Sequence, residues 1–312
     1  MQTTVAVYHP ALVERYMTLL APRFADLAFV AAADRDGAVA AIREAEILLA
    51  HISFPGHLLR HAPRLRWVQV MGAGADALAG DVPPGVRLSR LTGTLGPRMA
   101  EYAIGYVLAI CQRMPEVVRN QASHRWLPLP LGVARGKTLG VAGLGAVGAA
   151  VARLGAAVGM RVVGYSRQPT ALAEVEAWFP SGDFGGFLGA ADFVVLTLPA
   201  TPQTRHIVNR EGLPRMRPGA WLLNLSRGAL IDEAALIDGL RRGQPAGAVL
   251  DVFETEPLPR DHPFWEMPNA IVTSHQSGAV VPEEVVEHFA ENLGRYRAGQ
   301  PLVNEIDLER GY

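Results

Sequence analysis

Residues 138–166, TLGVAGLGAVGAAVARLGAAVGMRVVGYS, leave few folds open to this chain. An apolar run ends in Gly143, Gly145 and Gly148, spaced as G-x-G-x-x-G; an alanine-rich amphipathic stretch follows, and a second β-branched run closes the unit. Strand, tight turn, helix and strand in that order predict a dinucleotide-binding βαβ unit. The first glycine permits the turn, the second lets a pyrophosphate approach the backbone, and the third lets the helix lie close to the sheet. Leu144, Ala146 and Val147 fill the rest of this loop, at a helix N-terminus whose backbone N–H groups favour an anion.

The same alternation of short apolar runs and helical stretches extends over almost the whole chain, as expected of parallel sheets covered by helices. One unit begins with TTVAVYH and the helix-like PALVERYMTLLAP, and takes in the strands EILLA and LRWVQV. A second opens on one long amphipathic segment, PRMAEYAIGYVLAICQRMPEVVRNQ, and then gives six strands: TLGVAG, RVVGYS, DFVVLTL, AWLLNLS, GAVLDVF and AIVTSH. The final helix and tail, from PEEVVEHF onward, contain no further βα unit and are expected to return to the first domain. The chain is thus predicted to be α/β, with two doubly wound parallel-sheet domains.

Lys plus Arg (29) nearly balances Asp plus Glu (30), without long runs of either sign, which argues against a nucleic-acid or membrane-surface partner and for a small molecule. The single cysteine, Cys111, excludes an intrachain disulfide and has no companions for a thiolate metal site, so no metal is expected. The N-terminus does not read as a signal peptide, and the expected location is cytoplasmic.

At the end of RVVGYS, where an acid would accept hydrogen bonds from a ribose 2′-hydroxyl, the chain has Ser166 and Arg167. A hydroxyl donor and a positive charge there favour a 2′-phosphate, hence NADP(H) over NAD(H); the alternative is that Arg167 is a solvated loop residue. Arg227, Asp251 and His275 stand just beyond three further strands, with Glu256 five residues after Asp251. Ligands of open α/β sheets bind outside the carboxyl ends of the strands, so these residues can converge. Arg227 can bind a 2-keto acid through its planar fork, His275 can give a proton to the developing alkoxide, and Glu256 can orient the imidazole and stabilise its protonated form. Asp251 is placed to hold the nicotinamide end, or else to cap its strand. In the first unit, VQVMGAGADAL offers the backbone N–H groups of Met71, Gly72, Ala73 and Gly74 to a carboxylate, with an ordinary βα turn as the alternative. Trp126, in the Pro-rich loop HRWLPLPLGVARG, is either a lid or subunit contact, or a buried anchor.

GLGAVG, LPATPQT (198–204), LLNLSRGALIDEAAL, LDVFETEPLP and VTSHQSGA, in that order, resemble the D-isomer-specific 2-hydroxyacid dehydrogenase family over essentially the whole chain. The resemblance implies a Rossmann dinucleotide-binding domain (97–277) inserted in a smaller flavodoxin-like substrate domain (1–96 and 278–312). It also implies catalytic Arg227, Glu256 and His275, a cofactor rim including Leu198, Pro199, Thr204 and Ser226, and a homodimer built through the cofactor domains. YHP, MGAGADAL, HRWLPLP, GYSR and the closing RGY resemble the branch that reduces glyoxylate and hydroxypyruvate with NADPH. Ser274, Gln276 and Thr197 depart from the usual pattern, which bears on substrate preference more than on reaction type. The same frame also serves dehydrogenases of other 2-hydroxy acids or phosphite, and NAD(P)-sensing binding proteins.

Overall fold

The computed structural model describes residues 2–93, 95–169 and 171–308. It divides into two compact units, Met1–Leu95 with Gly278–Tyr312, and Gly96–Ser277. The closing RGY (310–312) lies outside the described residues.

In the first unit the described elements are β1 (Thr4–Tyr8), α1 (Val13–Leu20), β2 (Ala28–Ala32), α2 (Arg35–Ile42), β3 (Ile47–Ala50), β4 (Trp67–Val70), α3 (Asp76–Ala79) and β5 (Arg87–Arg90). The strands form one parallel sheet in the order β2-β1-β3-β4-β5. Alternate side chains serve opposite faces: Val5, Val7, Ile47 and Leu49 join one core, while Ala6, Tyr8, Leu48 and Ala50 join the other. A sheet buried on both faces explains why its central strands read as unbroken apolar runs.

The C-terminal helix, Pro282–Arg297, completes this unit. Its Phe289 ring stacks on Trp67 at 5.4 Å, and Tyr296 stacks there at 5.5 Å. The Trp67 indole in turn donates to Ser89 Oγ at 2.9 Å, so a large aromatic is buried with its one polar atom satisfied. Beyond the helix, Glu305 bridges Ser89 in antiparallel fashion and accepts two 2.7 Å hydrogen bonds from the Arg87 guanidinium.

The second unit opens with α4 (Leu95–Cys111) and α5 (Met114–Ala122). It continues through β6 (Thr138–Ala142), α6 (Ala146–Ala157), β7 (Arg161–Ser166), β8 (Val175–Pro180), α7 (Phe184–Ala190), β9 (Phe193–Leu196), β10 (Trp221–Asn224), α8 (Glu233–Arg241), β11 (Gly247–Leu250) and β12 (Ala270–Val272). Its parallel sheet runs β12-β11-β10-β9-β6-β7-β8. The order reverses direction at β6, so β6 and β9 flank a crevice at their carboxyl ends.

Three details differ from expectation. Strands β2, β5 and β8 were not read from the sequence. The long amphipathic segment is two helices, because Arg113 adopts a left-handed φ of +54° and Pro115 begins a new first turn. Trp126 is not a buried anchor: it is 98% exposed. Among the described residues, no helix is long and apolar enough to cross a membrane.

Candidate active site

Because the strands of the second sheet are parallel, all their carboxyl ends lie along one edge. Gly143 follows β6, Ser166 ends β7, Thr197 and Leu198 follow β9, Arg227 lies just past β10, Asp251 directly follows β11, and His275 lies just past β12. Sequence spacing thus becomes spatial convergence through topology alone.

The glycine turn meets the demands of a pyrophosphate cradle. Gly143 has φ +97°, and a Cβ there would lie 2.9 Å from the Thr197 carbonyl. A Cβ on Gly148 would fall 1.8 Å from the Gly143 oxygen, so helix α6 can sit this close only with glycine at that position. At Gly145, by contrast, a Cβ would meet nothing within 4 Å: the second glycine faces open space at the first turn of α6. That is the arrangement a phosphate needs to reach backbone N–H groups, and the residues present therefore fit a dinucleotide. Leu144 and Val147 are half-buried and Ala146 is exposed beside it.

Side-chain hydroxyls tie neighbouring strand ends to this turn. Thr197 Oγ1 lies 2.7 Å from the Gly143 carbonyl and 3.0 Å from that of Ala142, and Ser226 Oγ donates to the Leu198 carbonyl. Thr204 Oγ1 donates to the Pro199 carbonyl at 2.7 Å, closing the turn after β9. Thr197 thus acts as a brace for the glycine loop, a role its departure from the usual pattern did not suggest. At the end of β7, the Ser166 hydroxyl donates to the Gln168 carbonyl at 2.6 Å and accepts from the Trp178 indole at 3.0 Å. In this arrangement its hydrogen lies within the loop. Arg167 is exposed beside it.

The backbone next to Arg227 closely approaches the loop that carries Glu256, and His275 pairs with Glu256 by a hydrogen bond. A Cβ on Gly228 would fall 1.9 Å from the Phe253 carbonyl carbon, so the loop 253–256 packs directly on the backbone next to Arg227. His275 Nδ1 is 2.7 Å from Glu256 Oε2, while Glu256 Oε1 accepts from the Phe253 N–H at 2.9 Å. Burial pushes the Glu256 carboxyl upward, but the hydrogen bonds from His275 and Phe253 and the charges of His275 and Arg227 outweigh it and hold it below the ordinary range. Glu256 is therefore a carboxylate at neutral pH, with one oxygen fixed by the backbone and the other on the imidazole. The Arg227 guanidinium donates to the Ser226 carbonyl at 2.7 Å, which steadies its stem.

Asp251 takes the strand-capping role. It is fully buried; Oδ1 accepts from the Gln276 N–H at 2.9 Å and Oδ2 from the Ser277 N–H at 2.8 Å. Its carboxylate thereby organises the backbone of the His275 loop. His275 itself has φ +49°, a left-handed conformation unusual for histidine, and its N–H donates to the Asp251 carbonyl at 2.8 Å. Gln276 contributes to this loop through its backbone N–H to Asp251 and through its side-chain oxygen, which lies 3.4 Å from Ser274 Oγ.

In the first unit, the turn after β4 contains Met71 to Gly74. The Met71 N–H is donated to the Ala50 carbonyl at 2.8 Å and is therefore removed from the set offered to a carboxylate. Gly72 is buried against Ile52, while Ala73 and Gly74 are partly exposed.

Residues 104–277 match the family model described as D-isomer specific 2-hydroxyacid dehydrogenase, NAD binding domain. Glyoxylate/hydroxypyruvate reductase A of Serratia proteamaculans (strain 568) is 36% identical over 266 residues, covering 83% of this chain and 85% of that protein. A D-isomer specific 2-hydroxyacid dehydrogenase family protein from Aeromonas salmonicida subsp. salmonicida A449 superimposes with a TM-score of 0.91 at 34% identity, covering 99% of this chain and 100% of that one. A D-isomer specific 2-hydroxyacid dehydrogenase from Xanthobacter autotrophicus Py2, solved with NADPH and MES, gives 0.88 at 35% identity, with 99% and 100% covered.

Proposed function

Since the chain belongs to the D-isomer specific 2-hydroxyacid dehydrogenase family and is an NAD(P)-dependent oxidoreductase, we propose that it is an NADPH-preferring reductase of small 2-keto acids, forming glycolate from glyoxylate and D-glycerate from hydroxypyruvate. The observation that carries this reading is the 2.7 Å pairing of His275 with Glu256 on the sheet edge that also bears Arg227 and the glycine turn.

The glycine turn Gly143–Gly148 would hold the pyrophosphate of NADP(H), which would supply the hydride. The Arg227 fork holds the substrate carboxylate and its carbonyl oxygen. With Nδ1 committed to Glu256, Nε2 is the nitrogen of His275 left to give a proton to that oxygen as it becomes an alkoxide, and Glu256 fixes the orientation of the ring. Initial rates of NADPH oxidation with glyoxylate, hydroxypyruvate, pyruvate and phenylpyruvate test the assignment: glyoxylate and hydroxypyruvate are expected to give the highest kcat/KM, and a preference for pyruvate or phenylpyruvate would contradict it.

Preference for the 2′-phosphate is assigned to the Arg167 charge. A charged hydrogen bond of about 1.5 to 3 kcal/mol corresponds to roughly 10- to 150-fold discrimination. Arg167→Ala is expected to reduce the ratio of NADPH to NADH efficiency by that factor; an unchanged ratio removes Arg167 as the selector.

Association of two copies through the second unit is proposed from a row of exposed apolar side chains close in sequence: Leu108, Met114, Val118, Trp126, Leu131 and Val133. Light scattering is expected to give twice the chain mass, and Val118→Asp combined with Trp126→Asp is expected to give the mass of one chain.

A further inference from the structure

The buried carboxylate under the His275 loop is reached from the opposite side by a hydroxyl chain that starts on α4. Thr273 Oγ1 donates to Asp251 Oδ1 at 2.6 Å. That contact uses the only hydroxyl hydrogen Thr273 has, so in its 2.5 Å contact with Tyr102 Oη the tyrosine is the donor. Tyr102 Oη also lies 3.4 Å from Asp251 Oδ1. The sequence runs Tyr102 O–H to Thr273 O–H to Asp251, and from Asp251 to the backbone N–H groups of Gln276 and Ser277 on either side of the strained His275.

We propose that Tyr102 is a positioning residue for the reductase site: through Thr273 it fixes the Asp251 carboxylate and thereby holds His275 in the left-handed conformation that points its ring at Glu256. This rests on the reading of His275 as proton donor given above. Tyr102 touches neither His275 nor Glu256 in any contact described, so its effect must pass through the loop backbone.

A carboxylate that accepts two backbone N–H bonds and a hydroxyl has its acceptor sites directed, and a second hydroxyl behind the first polarises it further. Burial pushes the Tyr102 phenol well above its usual range, which keeps it a donor throughout the working pH range. For Asp251 burial acts upward, but the hydrogen bonds from Ser277, Thr273 and Gln276 prevail and hold the carboxyl below its ordinary range, so the acceptor end of the chain stays charged. A residue held at positive φ is maintained only where its surroundings over-determine it, and here those surroundings are the Asp251 carboxylate and what fixes it.

The test is a double-mutant cycle in the full chain with NADPH and hydroxypyruvate, using Y102F, T273V and the pair, with T273S and H275N as references. NADPH binding is followed separately by fluorescence titration. Y102F is expected to lower kcat about three- to ten-fold, the loss of one hydrogen bond's worth of positioning, with the NADPH dissociation constant unchanged within two-fold. In the T273V background the same substitution is expected to cost clearly less than in the parent, because the short route through Thr273 is cut and only the 3.4 Å contact of Tyr102 with Asp251 remains, and T273S is expected to recover most of the turnover that T273V loses. A wild-type kcat in Y102F, an equal loss in both backgrounds, or a loss confined to NADPH affinity would overturn the proposal. H275N separates the two levels: if it is inactive while Y102F is fully active, only the positioning role fails. If H275N turns over normally, the reading of the site fails and the positioning role with it.

Discussion

His275→Asn is expected to lower kcat for keto-acid reduction by about 10²- to 10⁴-fold, the usual worth of a positioned general acid. Asparagine is the informative replacement because the position has φ +49°, and asparagine is among the few side chains that tolerate the left-handed region. Alanine would add backbone strain to the loss of chemistry. The asparagine amide can still donate a hydrogen bond but cannot release a proton, so what disappears is the transfer to the developing alkoxide. Steady-state rates with glyoxylate, alongside an NADPH titration, check this. The expected pattern is a collapse of kcat with cofactor affinity retained; a change confined to KM would assign His275 to binding alone.

Arg227→Ala is expected to reduce kcat/KM by about 10²- to 10⁴-fold, the result of removing two charge-assisted hydrogen bonds at about 1.5 to 3 kcal/mol each. Arg227→Lys keeps the charge but not the planar fork, and is expected to recover only part of this loss, remaining at least about ten-fold below the parent. The comparison depends on geometry: the Gly228 backbone, pressed against Phe253, fixes where the guanidinium stem emerges, and a flexible ammonium has no equivalent anchor to two oxygens. Rates at low glyoxylate concentration measure kcat/KM directly. If lysine restores full activity, Arg227 acts as a point charge and the bidentate contact is wrong.

The central strands and the glycine turn were legible in the sequence because each residue there has one dominant constraint. Gly148 cannot bear a Cβ 1.8 Å from a carbonyl oxygen, and strands buried on both faces can only be apolar. The strands that escaped, β2, β5 and β8, all lie at sheet edges. There one side lacks a neighbour, exposed positions such as Val30, Glu176 and Ala177 mix with buried ones, and the apolar run that marks a strand is broken.

At the site, Arg227, Glu256 and His275 stand out in the sequence as ionisable residues beyond strand ends, whereas the hydrogen-bond partners of Asp251 and Ser166 have no sequence signature. Asp251 is occupied by backbone N–H groups of residues 276 and 277, and Ser166 by the Gln168 carbonyl. Main-chain donors and acceptors look alike in any sequence. Tyr102 was hidden for a related reason: within an apolar helix it reads as packing, and only the fold brings its hydroxyl to Thr273 at the end of β12. Likewise, nothing in the composition of HRWLPLP distinguished an anchor from a surface residue; the 98% exposure of Trp126 follows from where the loop runs.

The central claim is that this site delivers a hydride to a 2-keto carbonyl while His275 protonates the oxygen. Its most direct measurement is the fate of deuterium from NADPH labelled at the transferable C4 position, with hydroxypyruvate as acceptor and the product followed by NMR. The account predicts D-glycerate with one deuterium at C2 and one NADPH consumed per molecule formed; glycerate without deuterium at C2, or NADPH that binds and is never oxidised, would contradict it.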